Sequence, residues 1–352
     1  DMGGTTAKIC LIEDHQPHKA REFEVDRAAR FLKGSGLPLR IPVIEMVEIG
    51  AGGGSIARLD ALNRITIGPD SAGADPGPAA YGITEMVDET MANAARVHAV
   101  EQGRVAADHS IVAFGGAAPL HAARLADKLG IDTIVVPTNA GVGSAIGFLT
   151  APVAYEVVRS RNMRLRQFDP TQVNTIIDEM QAEAAAVVDA AAPAADTTEQ
   201  RIAYMRYVGQ GHEIVVPLPN RPLTDADTET LQAEFDRQYE ALYRRTIPTA
   251  EVEVLTWGLT LSTTVTAPEP FGDSEPRDPT PPAAMRRLFD AEADQEIEIP
   301  LYRRPDLNPG MTIEGPAIVA EDETSTFLNN RFDATIAANG YLILHRKKET
   351  SA

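Results

Sequence analysis

The chain has 352 residues, 43% of them hydrophobic, which is enough for a globular protein with a sizeable core and too much for a disordered one. A formal net charge of −19 argues against nucleic acid and against membrane surfaces as partners. With one cysteine, Cys10, there is no disulfide framework, and nothing reads as a signal peptide or membrane span, so the expected location is the cytoplasm.

The chain opens Asp1-Met2-Gly3-Gly4-Thr5-Thr6, a carboxylate, a glycine pair and two hydroxyls ahead of the strand-like KICLIED. Glycines let backbone amides approach a ligand, so this order suits a phosphate loop whose carboxylate holds Mg²⁺ or orients water. A plain hairpin turn fits the same residues. IPVIEMVEI, residues 41–49, reads as a strand closed by Gly50. In the next words, Gly50-Ala51-Gly52-Gly53-Gly54-Ser55, three consecutive glycines call for either a close ligand or a close neighbouring backbone. IARLD and RITIG are expected to pair as a hairpin across Ala61–Asn63. The stretch GPDSAGADPGPAAYG, Gly68 to Gly82, should be an irregular loop, with Asp70, Ser71 and Asp75 turned inward or solvated.

MVDETMANAARVHAVEQG has small and apolar residues at helical spacing and ends at Gly103. SIVAFGG, residues 110–116, reads as a short strand running into Gly115-Gly116, and APLHAARLADKLG as a helix closed by Gly130. A helix that starts behind a glycine pair offers amides to an anion or a nucleotide. The GxGxxG and GKS/GKT spacings are missing, so neither common nucleotide fingerprint applies. His121, in the first turn, reads as a structural histidine that could also reach a ligand. DTIVVP is a further strand and GVGSAIGFLTA a small-residue helix. Strand, glycine turn, helix, strand, helix over residues 1–160 predicts an α/β domain, a sheet covered by helices.

Residues 161–352 read as a mixed α+β domain. It holds a helix over Thr171–Ala192, strands RIAYMRYVG and HEIVVPLP joined at GQG, and a helix near Asp225–Arg245. The longest β-like segment is 251–265, and a proline-rich acidic linker covers 267–284. IEIPLYRR, GPAIVAEDETST, FDATIA and YLILHRK then form a compact run of short strands. There is no internal repeat at solenoid period. The seven histidines include no HxH or HExxH pair, which argues against a metallohydrolase. His15 and His18 fall in a polar turn, and His212 reads as a structural or interface residue.

DMGGTTAK, EIGAGGGSIARLD, GPDSAGADPGPAAYG, DETMANAARVHAVEQG and VAFGGAAPLHAARLADKLGI, in this order, resemble the hydantoinase A/5-oxoprolinase family, to which acetone and acetophenone carboxylase subunits are similar. RYVGQGHEIVVPLP, YEALYRRTIP and GPAIVAEDETST resemble its C-terminal region, so the resemblance spans nearly the whole chain. It implies the second half of an ATPase fold of the actin, Hsp70 and sugar-kinase type, with ATP and Mg²⁺ as cofactors. In that carry-over DMGGTTAK is a phosphate hairpin. Gly3, Gly4, Thr5 and Thr6 face the phosphates, Asp1 anchors the metal or positions water, and Asp1 and Thr5 are the catalytic residues. FGGAAPLH resembles the adenosine turn, which puts Gly115, Gly116 and Ala117 beside the nucleoside. Gly52, Gly53 and Gly54 join the cleft as a family signature, as does the SAGADPGP loop.

Two departures from the family pattern stand out. Members carry an N-terminal half with its own DxGGT hairpin, and a segment with a TDAN-type motif after PGPxxYG, whereas here Tyr81-Gly82 runs directly into Ile83. The expectation is a partial record of a longer chain, not by itself a competent ATPase. The family activity it implies is phosphorylation of a carbonyl or enol oxygen in a small molecule. That would prepare a hydantoin, 5-oxoproline or lactam for hydrolysis beside a hydantoinase B-type partner subunit. A ketone carboxylase subunit, a sugar or acetate kinase of the same fold and a non-catalytic scaffold subunit are the alternatives.

Overall fold

The computed structural model describes residues 1–20, 23–25, 36–39, 41, 43–50, 52, 55–59, 65–71, 81–265, 272, 274–278, 281–290 and 295–348. The chain forms two compact units, one of Asp1–Leu149 with Pro270–Ala352 and one of Thr150–Glu269. The expected division at 160/161 falls near the first crossing, but the run of short strands at the C-terminus belongs with the first unit. Strand pairing explains the return. Thr133–Val136 has Ile111–Val112 as its parallel neighbour on one side, and Leu342–Arg346 pairs antiparallel on the other, with Val136 opposite Leu342 and Ile134 opposite Leu344.

That pairing makes a five-stranded mixed sheet in the order Ile111–Val112, Thr133–Val136, Leu342–Arg346, Phe332–Ile336, Thr312–Ile313. Its alternating apolar residues, among them Ile134, Val136, Ala334, Ile336, Leu342 and Leu344, are fully buried on one side. A second sheet takes Ala284–Asp290, Gln295–Arg303, Ala317–Ala320 and Ser325–Leu328 in that order. The 267–284 linker lies in part outside the described residues, and Ala284 already begins a strand.

Helix α2 spans Ala118–Leu129, as the spacing predicts, whereas helix α1, Tyr81–Glu101, starts ahead of the expected Met86, at Tyr81-Gly82 that were expected to end a loop. The buried positions of α2, Pro119, Ala122, Ala123, Ala126 and Leu129, form a single stripe at helical period. Polar side chains tie α2 to α1: Lys128 Nζ donates to Glu85 at 2.5 Å and to Glu89 at 2.7 Å. Burial opposes ionisation of Glu85, but the hydrogen bonds from Lys128 and Arg124 hold it below the usual carboxylate range. Helix α3 covers Gly143–Thr150 and buries none of its side chains, with Phe148 84% and Leu149 82% exposed.

Two expectations needed correcting here. The Ile65–Ser71 strand does pair with Ser55–Leu59, but it runs on through Gly68-Pro69-Asp70-Ser71, where an irregular loop was expected. A register shift between Ile67 and Ser71 takes up the extra residues, and a two-stranded edge with a bulge tolerates the proline that a central strand would not. Asp75 and the hairpin turn at Ala61–Asn63 lie outside the described residues. The SIVAFGG strand shortens to Ile111–Val112, because the chain leaves the sheet to reach Gly115. His15 and Asp14, both at positive φ, form the two-residue turn between Ile12–Glu13 and Gln16–Pro17.

The second unit is an antiparallel sheet in the order Ala154–Arg164, Val252–Thr263, Thr197–Tyr207, Ile214–Leu218, with two helices. Helix α4, Pro170–Ala191, is capped by Asp169, whose carboxylate accepts from the Gln172 amide at 3.1 Å. Its buried stripe of Val173, Ile177, Met180, Ala184 and Val188 packs into the core around Trp257. Helix α5, Asp227–Tyr243, starts at an aspartate only 1% exposed. That carboxylate accepts two bonds from Arg221, at 2.7 and 2.9 Å, and two from Thr224. The Arg221 guanidinium beside it holds the Asp227 carboxyl well below its usual range. Its stabilising effect is therefore present above the ordinary aspartate value of 3.8 and fades as pH drops through the lowered one. Asp227→Asn is expected to cost about 1–2 kcal/mol at neutral pH, with the gap to the parent chain narrowing only below pH 3.8 and still largely present at pH 3. Urea unfolding at pH 7 and pH 3 measures both values.

Candidate functional site

Met2 anchors the opening hairpin. It bridges to Ala7, its side chain is 2% exposed, and it is buried with Ile49, Val87, Met91, Ala94 and Ala117. The polar residues Gly3 to Thr6 are left at the rim as the turn, where the Gly3 N–H donates to the Thr6 carbonyl at 3.1 Å. The hairpin continues as Ala7–Cys10 pairing antiparallel with Met46–Ile49. Lys8 sits opposite Glu48, and their charged ends are 3.9 Å apart on an exposed face.

Two further glycine words converge on this hairpin. A methyl on Gly52 would stand 2.5 Å from the Thr5 nitrogen, 2.6 Å from the Gly4 carbonyl carbon and 2.7 Å from the Gly3 oxygen. The close neighbour that Gly52 needs is therefore backbone. Gly53 and Gly54 lie outside the described residues. Gly115 has φ +100°, and a methyl there would overlap the Asp1 carboxylate and lie 2.7 Å from the Met2 oxygen. Hydrogen bonds stitch the two turns together: Met2 N–H donates to the Phe114 oxygen at 3.3 Å, and Ala117 N–H donates to the Met2 oxygen at 3.0 Å. Asp1 thus rests on Gly115, with the Ser144 hydroxyl from α3 3.4 Å from its Oδ2. By contrast, a methyl on Gly3 would meet nothing within 4 Å, so that face of the turn is open.

The amides are less free than the sequence suggests. Gly3 donates within its own turn, Gly115 N–H donates to the Ala140 oxygen at 2.7 Å, and Ala117 N–H to Met2. These bonds close the turns. His121 is held structurally: its Nδ1 and Oδ1 of Asp88, an acid 2% exposed on α1, are 2.7 Å apart. His212 lies exposed in the second unit.

The C-terminal segment reaches the same place, which the sequence did not signal. Thr324 Oγ1 donates to the Gly116 oxygen at 3.0 Å, and the Glu323 side chain packs against the Cα of Gly141. Burial pushes the nearby Glu321 carboxyl up, with Arg304 opposing the shift. Ser144 and Thr324 are the site neighbours that residue-by-residue reading missed. Thr324 lies in a quoted family word, GPAIVAEDETST, whose position next to Gly116 only the fold reveals.

Among the described residues no group of three His, Cys, Asp or Glu could hold a metal ion. Asp1, a single carboxylate beside an open glycine face, suits a Mg²⁺ that arrives on phosphates, since such ions use one or two protein carboxylates and keep water. It does not suit a metal caged by protein alone. No helix among the described residues is long and apolar enough to cross a membrane.

Fold and site together define a mixed α/β protein whose glycine turns gather around one carboxylate at the start of α2. The chain belongs to the hydantoinase/oxoprolinase family: the Hydantoinase/oxoprolinase model matches residues 1–84 and 79–157, and the model of the family's C-terminal domain matches 165–349. The first two matches meet at 79–84, where the sequence departs from the family pattern after Gly82. Caprolactamase subunit alpha of Pseudomonas jessenii is 24% identical over 92% of this chain and 54% of that protein. The acetone carboxylase beta subunit of Xanthobacter autotrophicus is 24% identical over 99% of this chain and 57% of that protein. The chain thus spans little more than half the length of these relatives. In fold it matches a chain of nucleotide-free acetone carboxylase, with a TM-score of 0.81 at 21% identity over 99% of this chain and 58% of that one. The ATP-dependent caprolactamase of P. jessenii gives 0.72 at 22% identity, with the same coverage.

Proposed function

We propose that the chain is the ATP-binding part of an enzyme that phosphorylates a carbonyl oxygen of a cyclic amide, a hydantoin, 5-oxoproline or lactam, so that water can open the ring. The observation that carries this reading is the stitching of the Asp1–Thr6 hairpin to the Gly115–Ala117 turn through Met2, in a chain of the hydantoinase/oxoprolinase family. In this reading the fold is the second half of an actin/Hsp70/sugar-kinase-type ATPase. Gly3, Gly4, Thr5 and Thr6 lie along the phosphates, with the open face of Gly3 receiving them. Asp1 holds the Mg²⁺, Thr5 presents its exposed hydroxyl, and Gly115, Gly116 and Ala117 border the nucleoside. Mg²⁺, when bound, neutralises charge that builds on the phosphoryl oxygens. The protein's own task is to position the reactants and exclude competing geometries. A hydantoinase B-type subunit is the proposed partner, in a cytoplasmic hetero-oligomer.

Ketone carboxylation is the second reading, favoured by the similarity to the acetone carboxylase beta subunit over 99% of the chain. There the activated group would be an enol oxygen. One assay separates the two. The natively assembled enzyme is incubated with ATP and either 5-oxoproline, hydantoins or caprolactam, or a ketone with bicarbonate, and ATP, ADP and AMP are resolved by chromatography. ATP consumption that depends on a cyclic amide supports the first reading, and dependence on the ketone supports the second. No substrate-dependent consumption by intact enzyme contradicts both and leaves a scaffold.

Gly3 gives a sharper check on where the phosphates lie. Gly3→Ala meets no protein atom, so it should melt as the parent does, yet it is expected to raise the KM for ATP about tenfold by filling the open face. An unchanged KM would place the phosphates elsewhere.

A further inference from the structure

We infer that Thr324, carried on the C-terminal segment, is a positioning residue that fixes the nucleoside turn for nucleotide binding; the inference rests on the ATP reading above. The peptide joining Gly116 to Ala117 is held at both ends. Its carbonyl accepts from Thr324 Oγ1 at 3.0 Å, and its N–H donates to the Met2 oxygen at 3.0 Å. In a trans peptide these two groups point in opposite directions, so Thr324 and the hairpin grip one plane from opposite sides.

Packing alone does not fix that plane. A methyl on Gly116 would meet only the Glu323 oxygen, at 3.7 Å, and its neighbour Gly115 already sits at φ +100°. Two glycines in a row leave the backbone free to rotate, which the paired hydrogen bonds prevent. Thr324 is itself well fixed. It is 7% exposed, its carbonyl accepts from the Glu321 amide at 2.9 Å, and it leads directly into the Ser325–Leu328 strand. The residue before it, Glu323, abuts Gly141. A loop that the sequence assigns to a separate domain therefore sets the orientation of the turn. Without the hydroxyl, the Gly116 carbonyl loses its buried partner and the peptide can flip, closing the face offered to the nucleoside.

The test is titration calorimetry of Mg·ATP and of Mg·tripolyphosphate against the natively assembled enzyme and its Thr324→Val and Thr324→Ser forms. Tripolyphosphate engages the hairpin and not the nucleoside turn. Thr324→Val is expected to weaken ATP about tenfold and leave tripolyphosphate unchanged, and Thr324→Ser, which keeps the hydroxyl, to stay within about twofold of the parent for both. ATP binding by Thr324→Val equal to the parent's overturns the inference, and so does an equal loss of both ligands, which marks a merely structural role. If the valine variant does not fold, Thr324→Ala gives the same comparison without burying a methyl against the carbonyl. Failure of the folded parent enzyme to bind either ligand overturns the ATP reading and the inference with it, a result distinct from any seen in the variants.

Discussion

Asp1→Asn is expected to lower ATP turnover by the assembled enzyme about 10³-fold while leaving the melting temperature nearly unchanged. The substitution keeps the shape of the side chain and removes its charge. Among the described residues, the carboxylate rests on the Cα of Gly115 and has the neutral Ser144 hydroxyl 3.4 Å away, and neither needs its charge. An amide fills the same space against both. Phosphoryl transfer, in contrast, needs an anionic oxygen there, to hold a metal or to orient a nucleophile. Turnover and thermal unfolding measured on one preparation separate the two effects. Parental turnover in a folded Asp1→Asn enzyme would remove Asp1 from the catalytic residues.

Gly115→Ala is expected to be the most damaging small substitution at the site, costing about 2–4 kcal/mol of stability. Two penalties coincide there. At φ +100° an alanine is strained whatever room it has, and its methyl would overlap the Asp1 carboxylate and crowd the Met2 backbone, at 2.7 Å from the oxygen and 2.9 Å from the nitrogen. Relief requires the hairpin to lift from the turn, which breaks the Met2–Phe114 and Ala117–Met2 hydrogen bonds. The stability loss should therefore come with loss of nucleotide binding, in contrast to Gly3→Ala, where binding alone changes. Denaturant unfolding and nucleotide titration of Gly115→Ala read the two quantities, and a variant as stable as the parent would show that the turn and hairpin are not packed as described.

Much of this was legible in the sequence because it is written locally. The helices α2 and α4 and the glycine words are each written within a few residues. That the glycine run at Gly52 needs either a close ligand or a close backbone could be read before its partner was known. The partners themselves could not. Ala117 finds its acceptor in Met2, and Gly116 is reached by Thr324, residues brought together only by the sheet that pairs Thr133–Val136 with Leu342–Arg346. The same long-range pairing moved the C-terminal strands into the first unit. Gly68-Pro69 misled for the opposite reason: a local rule against proline in strands gave way at a two-stranded edge with a bulge. Helix α3 has helical composition, but composition does not say that its apolar side chains stay exposed.

The central claim is that ATP activates the substrate's own oxygen, and isotope transfer tests it most directly. The assembled enzyme is given a cyclic amide labelled with ¹⁸O at the carbonyl that will be opened, and the inorganic phosphate released is analysed by mass spectrometry. Phosphorylation of that oxygen followed by ring opening with water predicts one ¹⁸O atom in phosphate for each ring opened. Ring opening with all the label retained in the new carboxylate, and unlabelled phosphate, would contradict the account.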